Sequence, residues 1–580
     1  VETRKLVVTI YNKDGQEYGE MVRQYGKFSK IVDFSGVLYD AAGEKIRELE
    51  SKDINDYSAF SDYSLYEDTR MRIGRLYHDR YPYTVEFTYE ISYDGPLEWP
   101  DWYSRMSLYP VEESTFRVTL PSDEELRYWA NSDTLRPVVT NSGRSKTYFW
   151  EAHNLPELSR DVVGDEYQDV APMVLIAPSA FEVEGFKGSM SSWNEFGKWF
   201  GELSKDKDRL PEAALNDIRA LVRPGDDEHE RIRKIYEYMQ KRTRYVSVQL
   251  GIGGWQPYDA TYVHDRGYGD CKALSNYTVG LLKAAGITAY PVLIESGNGI
   301  RPLIREFPSN QFNHVIVCVP AAHDTTWLEC TSQTDPAGHL GSFTENRDAL
   351  MITPGGGILV RTPTSQPGSN LQRRTVLINL DFTGDAYGAA FFRWEGDQQD
   401  RVRSALDDAT PEDRTKWVVR DIDIPNVRIN QCKIDGIKSH AEGVRAEVEF
   451  SVPHFGSVSG NRIFFQPNAV ERNRRIPPAV DKRLSPVRYF YPYRDVDSIL
   501  YAIPEGFKTE SIPARVSLQS PFATFTSVLS ASGDSLLTYV RTLEVTRYTI
   551  PADQYKEYRK FFTDVAKAER AQVVLIKQGP

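Results

Sequence analysis

The sequence predicts a multidomain α+β protein in which a central α+β domain lies between two antiparallel β-sandwich-type domains. The chain has 580 residues, more than one hydrophobic core usually serves, so three or four domains are expected. Apolar side chains alternate with polar ones at both ends of the chain, which is the pattern of half-buried strands. From about Ser191 the apolar spacing becomes that of helices, and a different kind of domain begins there.

The composition is that of an ordinary folded protein. An apolar fraction of 40% and a charged fraction of 26% exclude a disordered or fibrous chain. The net charge of -12 comes from interspersed acidic and basic residues, which argues against binding nucleic acid or anionic membranes. The longest apolar run, around residues 173–177, is too short for a transmembrane segment. The chain begins at Val1 without a methionine or a signal peptide, so we expect a processed or trimmed form.

The first domain is predicted to span residues 1–188 and to be rich in strands. Its clearest strand covers residues 84–93, where Val85, Phe87 and Tyr89 alternate with polar side chains. One buried and one wet face are typical of an antiparallel sandwich. Frequent turn signals such as Asp14-Gly15 agree with many short strands joined by tight connections.

The central domain is predicted to span residues 189–354. Trp193, Phe196 and Phe200 have helical spacing, and a second helix follows around residues 232–239. Asp270 is a favourable N-cap for a third helix that should end at Gly286. We expect that helix to bury four apolar side chains, and a strand to follow at residues 289–294. The four buried side chains are Leu274, Tyr277, Leu281 and Leu282.

Residues 355–374 combine three consecutive glycines with several prolines, which predicts a linker. Alternation then returns, most clearly over residues 444–452, and indicates a second sandwich over residues 375–580. Pro551 opens an amphipathic helix near the end, with Tyr555, Tyr558 and Phe562 on one face. We expect this helix to dock on the preceding sheet.

The four cysteines are too few for a disulfide scaffold and include no CxxC pair. Cys271 lies where a helix is predicted to begin, so unpaired backbone amides and the positive end of the helix dipole favour its thiolate. The same amides could stabilise the oxyanion of a tetrahedral intermediate. The alternative is that Cys271 is a small buried core residue, as most free cysteines are.

A histidine and a glutamate lie on two consecutive predicted strands downstream of Cys271. If His314 is opposite Glu329 in an antiparallel hairpin, the carboxylate can accept a hydrogen bond from the imidazole. A cysteine nucleophile requires such a base and such an orienting group. The same register places Cys318 and Cys330 on opposite faces of the hairpin, so we expect no disulfide between them.

The segments Gly269-Asp270-Cys271, Asn313-His314 and Glu329-Cys330-Thr331 resemble the transglutaminase-like superfamily over roughly residues 225–335. The resemblance implies a papain-like α+β core and cysteine protease, amidase or acyltransferase chemistry. Cys271 would be the nucleophile, His314 the base and Glu329 the orienting group. The superfamily more often has Asp-Pro-Thr in the third segment, and Glu329 is one methylene longer than aspartate. Asp335 is the alternative for this third role.

The flanking domains resemble those of bacterial proteins in which strand-rich domains surround such a core. That resemblance implies a periplasmic or cell-surface location and a peptide or protein substrate, with a cell-envelope or glycan partner possible. The superfamily takes its second oxyanion donor from an upstream side chain, for which Trp255, Gln256 and Gln249 are the candidates. Three tyrosines could line a substrate groove: Tyr245, Tyr258 and Tyr268.

Other kinds of site find little support in the sequence. No known metal-ligand spacing surrounds Cys271, His264, His314 or His339, and we expect neither a metal nor a cofactor. The remaining alternative is a noncatalytic cell-surface binding or scaffolding protein that keeps the same core fold. Within the enzyme hypothesis hydrolysis is favoured over transamidation, because water is always available and no amine site is identifiable.

Overall fold

The computed structural model describes residues 1–59, 64–95, 97–105, 107–164, 170–298, 301–321, 325–422, 424–439, 443–470, 472 and 475–579. Antiparallel sheets make up most of the fold, and the longer helices are concentrated in the centre of the chain. The predicted multidomain α+β class is confirmed. None of the helices in these ranges is long and apolar enough to cross a bilayer.

The N-terminal region is built from short strands and one short helix, α1 (Arg160–Val163). The strands are β1 (Glu2–Ile10), β2 (Glu20–Tyr25), β3 (Ser29–Tyr39), β4 (Lys45–Glu48), β5 (Ile54–Ser58), β6 (Ser64–Glu67), β7 (Arg70–Arg75), β8 (Tyr83–Tyr93), β9 (Trp102–Tyr103), β10 (Val111–Pro121), β11 (Arg127–Ala130), β12 (Val138–Ser142), β13 (Ser145–Leu155), β14 (Met173–Ala177), β15 (Ala180–Val183) and β16 (Phe186–Ser189). They form sheets ordered β1-β8-β3-β4, β2-β7-β5, β10-β13-β12, β11-β14-β9 and β15-β16.

Two separate hydrophobic clusters fill this N-terminal region. The first lies around β8, whose alternate residues are buried as the sequence pattern predicts. The second lies around Trp102 and Trp150. Strand β14 is buried on both faces, because alternate residues face this second cluster and the central domain. Burial on both faces explains why β14 reads as a continuous apolar run in the sequence.

The central domain combines six helices of the described chain with a mostly buried sheet. Its elements are α2 (Trp193–Leu203), α3 (Glu212–Leu221), α4 (Glu228–Arg242), β17 (Arg244–Tyr245), β18 (Ser247–Gln249), α5 (Ala260–Arg266), β19 (Tyr268–Gly269), α6 (Cys271–Ala284), β20 (Tyr290–Ile294), β21 (His314–Val319), β22 (Thr326–Leu328), α7 (Gly341–Thr344), β23 (Asp348–Thr353) and β24 (Gly356–Arg361). Five strands form an antiparallel sheet in the order β22-β21-β20-β23-β24.

Helix α6 follows the sequence prediction closely. Asp270 is its N-cap, and the helix ends just before Gly286, whose φ of +76° is left-handed. The four side chains predicted to point inward are fully buried against α4, α5 and the sheet. The helix is therefore held in the middle of the domain, and its first residue has a fixed position.

The predicted register of the β21–β22 hairpin is wrong by two residues. Val317 pairs with Leu328 and Cys318 with Trp327, so His314 is not directly opposite Glu329. The bulky Trp327 packs beside the small Cys318 in a buried cluster, which favours the observed pairing. A two-residue shift leaves every side chain on its own face. Cys318 and Cys330 accordingly lie in different clusters, and both thiols are free.

The glycine-rich segment predicted as a linker belongs in part to the central sheet. Residues 356–361 form β24, which pairs with β23. A Cβ atom on Gly357 would lie 2.3 Å from the carbonyl oxygen of Trp193, and one on Gly197 would lie 2.2 Å from the Gly357 amide nitrogen. These glycines thus let the hairpin pack closely on α2, rather than making the chain flexible.

The C-terminal region is a two-sheet sandwich with helices on its outside. Its elements are β25 (Leu371–Leu380), β26 (Ala386–Trp394), α8 (Asp397–Leu406), α9 (Pro411–Asp421), β27 (Arg428–Asp435), β28 (Val444–Val452), β29 (Ser457–Ser459), β30 (Arg462–Phe465), β31 (Val487–Arg488), β32 (Tyr493–Ala502), β33 (Phe507–Ser511), β34 (Val516–Gln519), β35 (Ala523–Ser532), β36 (Leu536–Val545), β37 (Thr549–Ile550), α10 (Tyr555–Ala568) and β38 (Val573–Lys577).

An eight-stranded sheet ordered β27-β28-β26-β25-β32-β36-β35-β34 faces a four-stranded sheet ordered β29-β30-β38-β33. A single hydrophobic cluster contains apolar residues of both sheets, such as Phe450 of the large sheet and Leu575 of the small one. Helix α10 docks on the large sheet through Phe561 and Phe562, as expected of the terminal helix. The sequence pattern did not reveal β38, which follows this helix and pairs with β30 and β33.

Candidate active site

The first residue of α6 is Cys271, and its thiol is 6% exposed. The backbone amides of the first turn of a helix have no partner within the helix and point along its axis. A negative charge on sulfur at this position is favoured by those amides and by the helix dipole. Apolar side chains, Phe312 and Val315 among them, belong to the same buried cluster as Cys271.

The two residues on either side of Cys271 form a buried ion pair. Asp270 accepts a hydrogen bond from the amide of Ala273 at 2.9 Å, and its other carboxylate oxygen accepts one from Nζ of Lys272 at 2.6 Å. Burial alone would lower the pKa of Lys272, but the Asp270 carboxylate outweighs it, and the net direction is upward. The pair fixes the start of the helix and the backbone on both sides of the thiol.

His314 and Glu329 meet although their strands are not in the predicted register. Nε2 of His314 donates to both carboxylate oxygens of Glu329, each at 3.0 Å. The two side chains are 7% and 4% exposed. Cys271 is near enough to the same imidazole to raise its pKa, and Nδ1 is the ring nitrogen that Glu329 leaves available. The structure therefore brings the three residues of the predicted triad into one buried site, with the hydrogen bonds between His314 and Glu329 as its fixed part.

The length of the Glu329 side chain is accommodated by its own neighbours. Oε1 of Glu329 accepts hydrogen bonds from the amide of Thr331 at 3.1 Å and from its hydroxyl at 2.5 Å. The Tyr236 hydroxyl donates to the backbone carbonyl of Glu329 at 2.6 Å. These contacts hold the carboxylate toward His314 from a position just beyond the end of β22.

A serine on α6 links the nucleophile's helix to the strand of the base. Ser275 lies one turn after Cys271, and its hydroxyl donates to the carbonyl of Val315 at 3.0 Å. Because Val315 follows His314, this bond helps to set the separation of the thiol and the imidazole. Sequence patterns alone did not indicate roles for Ser275, Thr331 or Tyr236. Ser275 lies four residues after Cys271 and Thr331 two residues after Glu329, so both had a local signal, whereas Tyr236 had none.

The charges in the site favour an imidazolium. Burial alone would lower the pKa of His314, but the Glu329 carboxylate and Cys271 outweigh it and raise this pKa from 6.5 to about 10. Burial likewise opposes ionisation of Glu329, yet His314 and Thr331 hold the pKa of that carboxyl below its ordinary value. The arrangement stabilises a buried cation and anion next to the thiol.

The other three cysteines are in environments that suppress thiolate formation. Burial raises the pKa of Cys318 to about 11 and that of Cys330 to about 12. Burial also raises the pKa of Cys432. All four thiols are free, so any difference in their reactivity comes from these surroundings and not from disulfide formation.

The structure separates the three oxyanion candidates. Trp255 packs against the cluster that contains Cys271, with its ring 6.2 Å from that of Trp199. Gln256 stays a prediction: its amide nitrogen donates one hydrogen to the carbonyl of Leu203 at 3.1 Å, at the end of α2. The side chain of Gln249 lies outside the described part of the structure, although its backbone belongs to β18.

The segment before Trp255 is held between the central domain and the N-terminal region. Strand β17 runs parallel to β19 with Tyr245 beside Gly269, two residues before the nucleophile. Strand β18 pairs in parallel with β6 of the N-terminal region. Tyr258 is half-buried, and the Tyr268 hydroxyl hydrogen-bonds that of Tyr262 at 2.8 Å. Tyr268 lies in the strand that leads into Cys271, and the backbone of Tyr245 lies directly beside that strand.

Asp335, the alternative orienting group, belongs to a different cluster. Its carboxylate lies near His339 and Asp400, and ligand-type atoms of these three residues are within 4.8 Å of one another. No local pattern indicates this grouping, because Asp400 lies 61 residues beyond His339 and in the C-terminal region. Glu329 is thus the carboxylate found at His314.

The candidate triad is largely covered. The ring of Phe343 in α7 lies edge-on to the His314 ring, with 5.3 Å between the centroids. Phe343 is itself 43% exposed, so it separates the imidazole from solvent on one side.

Three family models match separate parts of the chain. Residues 218–330 match the transglutaminase-like superfamily. Residues 1–159 match DUF3857 and residues 461–575 match DUF3858, both described as domains of unknown function with a solved structure. No protein with a curated description matches the chain.

Two crystal structures are similar to this chain. One is a candidate protease from Parabacteroides distasonis ATCC 8503, with 13% identity and a TM-score of 0.62 over 99% of this chain and 95% of that chain. At this identity the likeness shows the fold alone. The other is a candidate cysteine protease from Cytophaga hutchinsonii, with 8% identity over 62% of this chain and 84% of that chain. Its TM-score of 0.18 is too low to bear on the fold.

Proposed function

Because the chain carries a transglutaminase-like core between a DUF3857 and a DUF3858 domain, we propose that it is a cysteine enzyme acting on peptide or amide bonds. Cys271 is the nucleophile, His314 the general base and acid, and Glu329 the group that orients the imidazole. The observation that supports these roles most directly is the contact of His314 Nε2 with both oxygens of Glu329, beside a thiol at a helix N-terminus.

The proposed reaction begins with attack of the Cys271 thiolate on the substrate carbonyl. The carbonyl oxygen becomes an oxyanion, for which the unpaired amides at the start of α6 are suitable donors. The imidazolium of His314 then gives its proton to the leaving amine, and the C–N bond breaks to leave a thioester. Glu329 keeps Nε2 protonated throughout, so Nδ1 is the nitrogen that exchanges protons with the thiol and the leaving group.

Hydrolysis completes the proposed cycle. Neutral His314 takes a proton from water, the hydroxyl attacks the thioester, and the thiolate leaves as the acid product is released. We favour water over an amine as the acceptor because water is always available, and we identify no amine site among the residues that the structure describes. Trp255 is the candidate for a second oxyanion donor that lies against the cluster containing Cys271, and Gln256 and Gln249 stay alternatives.

The test is covalent capture at Cys271. The intact protein is incubated with a library of peptide and glutaminyl substrates, quenched in acid, and examined by mass spectrometry for acyl groups on the peptide that contains Cys271. We expect a thioester adduct that is absent from Cys271→Ala and present in Cys330→Ala, a control that removes another buried thiol. Release of free acid would support hydrolysis, whereas stable incorporation of a labelled amine would support transamidation.

A second candidate function is a noncatalytic binding protein. The low exposure of the three site side chains and the position of Phe343 favour it. Iodoacetamide labelling distinguishes the two functions without a known substrate. An enzyme should label at Cys271 far faster than at the other cysteines in mildly acidic buffer, and His314→Ala should abolish the difference. Equal and slow labelling of all four thiols would contradict the enzyme hypothesis.

A further inference from the structure

A compact group of possible metal ligands lies at the boundary between the central and C-terminal domains. Asp335 and His339 precede α7, and Asp400 is on α8. Their carboxylate oxygens and an imidazole nitrogen lie within 4.8 Å of one another. Nε2 of His339 is 2.7 Å from Oδ2 of Asp400. All three side chains are half-buried, so they combine a sheltered position with access from solvent.

A third carboxylate, the fourth possible ligand, faces the same place. Asp397 is 3% exposed and lies three residues before Asp400 on α8. A Cβ atom built on Gly341 would be 3.1 Å from Oδ2 of Asp400, 3.4 Å from Oδ1 of Asp397 and 3.4 Å from Nε2 of His339. Atoms of two carboxylates and one imidazole therefore surround a single point, which glycine leaves open.

Two oxygens in this cluster have no hydrogen-bond donor. Within the part of the chain that the structure describes, buried Oδ2 of Asp397 and buried Oδ1 of Asp400 are both unpartnered. Oδ1 of Asp397, by contrast, accepts a hydrogen bond from the amide of Ser342. A buried carboxylate oxygen without a donor costs free energy unless a cation or water satisfies it.

The local charge is also incompletely balanced. Asp335, Asp397 and Asp400 place three carboxylates beside the single imidazole of His339. The guanidinium of Arg403 lies close enough to interact with Asp335 and Asp400, but it donates to the carbonyls of Thr334 and Ser439. Three carboxylates thus share the positive charge of one histidine and one engaged arginine.

We propose that Asp335, His339 and Asp400, with Asp397 beside them, form a binding site for a divalent transition cation of the Zn²⁺ type. An imidazole with carboxylate oxygens is a ligand set that suits Zn²⁺ better than Mg²⁺ or Ca²⁺, which prefer oxygen alone. The cation would replace the His339–Asp400 hydrogen bond by a bond from each residue to the metal. It would also neutralise the oxygens that lack a donor.

Such a cation would connect the two domains next to the candidate active site. Asp335 lies six residues after Glu329, and His339 lies four residues before Phe343, which covers His314. The bound cation would therefore fix both the loop that carries the orienting carboxylate and the helix that covers the base. This inference goes beyond the proposed function and does not depend on it, because cation binding is measured without any substrate.

The experiment uses the full chain after treatment with EDTA and removal of the chelator. The protein is mixed with Zn²⁺, Mn²⁺, Ca²⁺ or Mg²⁺, desalted, and examined for bound metal by mass spectrometry and for its unfolding temperature. We expect about one Zn²⁺ per chain, a higher unfolding temperature with Zn²⁺ than with Ca²⁺ or Mg²⁺, and a Kd raised at least about tenfold in His339→Asn and Asp400→Asn. His454→Asn is the matched control, since His454 lies 3.8 Å from Asp385 in an exposed pair.

Co²⁺ provides a measurement that does not depend on folding of the variants. The wild-type protein loaded with Co²⁺ should show ligand-field bands and no sulfur-to-metal charge transfer. Charge transfer from a thiolate would place the metal at a cysteine and overturn the proposal. Failure of the wild-type protein to retain Zn²⁺, or retention with unchanged Kd in folded His339→Asn and Asp400→Asn, would overturn it as well.

Discussion

Replacement of Glu329 by glutamine tests how the candidate site holds its charges. Glutamine keeps the volume and can still accept from Thr331 through Oε1, but its amide group must donate to Nε2 of His314. Neutral His314 would then carry its proton on Nδ1, the nitrogen available to Cys271, and could not accept the thiol proton. The substitution therefore removes a counterion and also selects the wrong tautomer.

The size of the effect follows from the pKa of His314. Its rise from 6.5 to about 10, against the opposing effect of burial, corresponds to on the order of 5 kcal/mol in favour of the imidazolium. Cys271 supplies part of this stabilisation, so we assign about half, roughly 3 kcal/mol, to Glu329. We expect alkylation of Cys271 at pH 6 to slow by about 100-fold in Glu329→Gln.

The assay follows iodoacetamide labelling of the Cys271 peptide by mass spectrometry between pH 5 and pH 9. Asp335→Asn is the matched control, because Asp335 was the alternative carboxylate and does not contact His314 among the hydrogen bonds of the described structure. Circular dichroism verifies that both variants are folded. Wild-type labelling of folded Glu329→Gln at pH 6, or a greater loss in Asp335→Asn, would refute the reasoning about Glu329.

Three further predictions concern stability. Folding raises the pKa of His314 from 6.5 to about 10, so its ion pair with Glu329 stabilises the fold fully below pH 6.5 and loses this effect as the pH rises through 10. Urea unfolding should therefore show a larger difference in the free energy of unfolding between wild type and Glu329→Gln at pH 6 than at pH 10. Arg541 is 1% exposed and forms ion pairs with Asp497 at 2.9 Å and Glu569 at 2.5 Å. Arg541→Ala should therefore lower the free energy of unfolding by about 3–5 kcal/mol, because it leaves two buried carboxylates without their partner. The control Arg462→Ala, which removes an exposed pair with Glu510, should change the free energy of unfolding little. Gly357→Ala should lower the unfolding temperature by several degrees, because the new Cβ atom collides with the Trp193 carbonyl. Gly368→Ala should not lower it, because a Cβ atom at that position has no neighbour within 4 Å. Equal unfolding temperatures for the two variants would contradict the packing role of Gly357.

Local patterns in the sequence were sufficient for the elements that a single segment determines. Alternation in residues 84–93 and 444–452 placed buried strands, because side chains on a strand point alternately to opposite faces. Asp270 and Gly286 marked the ends of α6, because both ends depend on nearby backbone groups. The same local argument placed Cys271 at the helix N-terminus.

Longer-range features required the tertiary structure. The hairpin register depended on how Trp327 packs beside Cys318, which is a contact between strands. The glycines at 355–357 looked like a linker because their role is set by α2, more than 150 residues earlier. The bond from the Gln256 amide to the carbonyl of Leu203 joins two segments that are far apart in the sequence.

The sequence by itself determined that a thiol starts a helix, that a histidine follows at the start of a strand, and that a glutamate follows at the next strand. Only the tertiary structure decided that Glu329, and not Asp335, meets His314, and that Asp335 instead lies with His339 and Asp400. The physical reason is that hydrogen bonding within a helix and the alternation of side chains along a strand act over a few residues, whereas burial brings together groups from distant segments. Contacts between distant segments depend on how whole helices and strands pack, so no local sequence pattern predicts them.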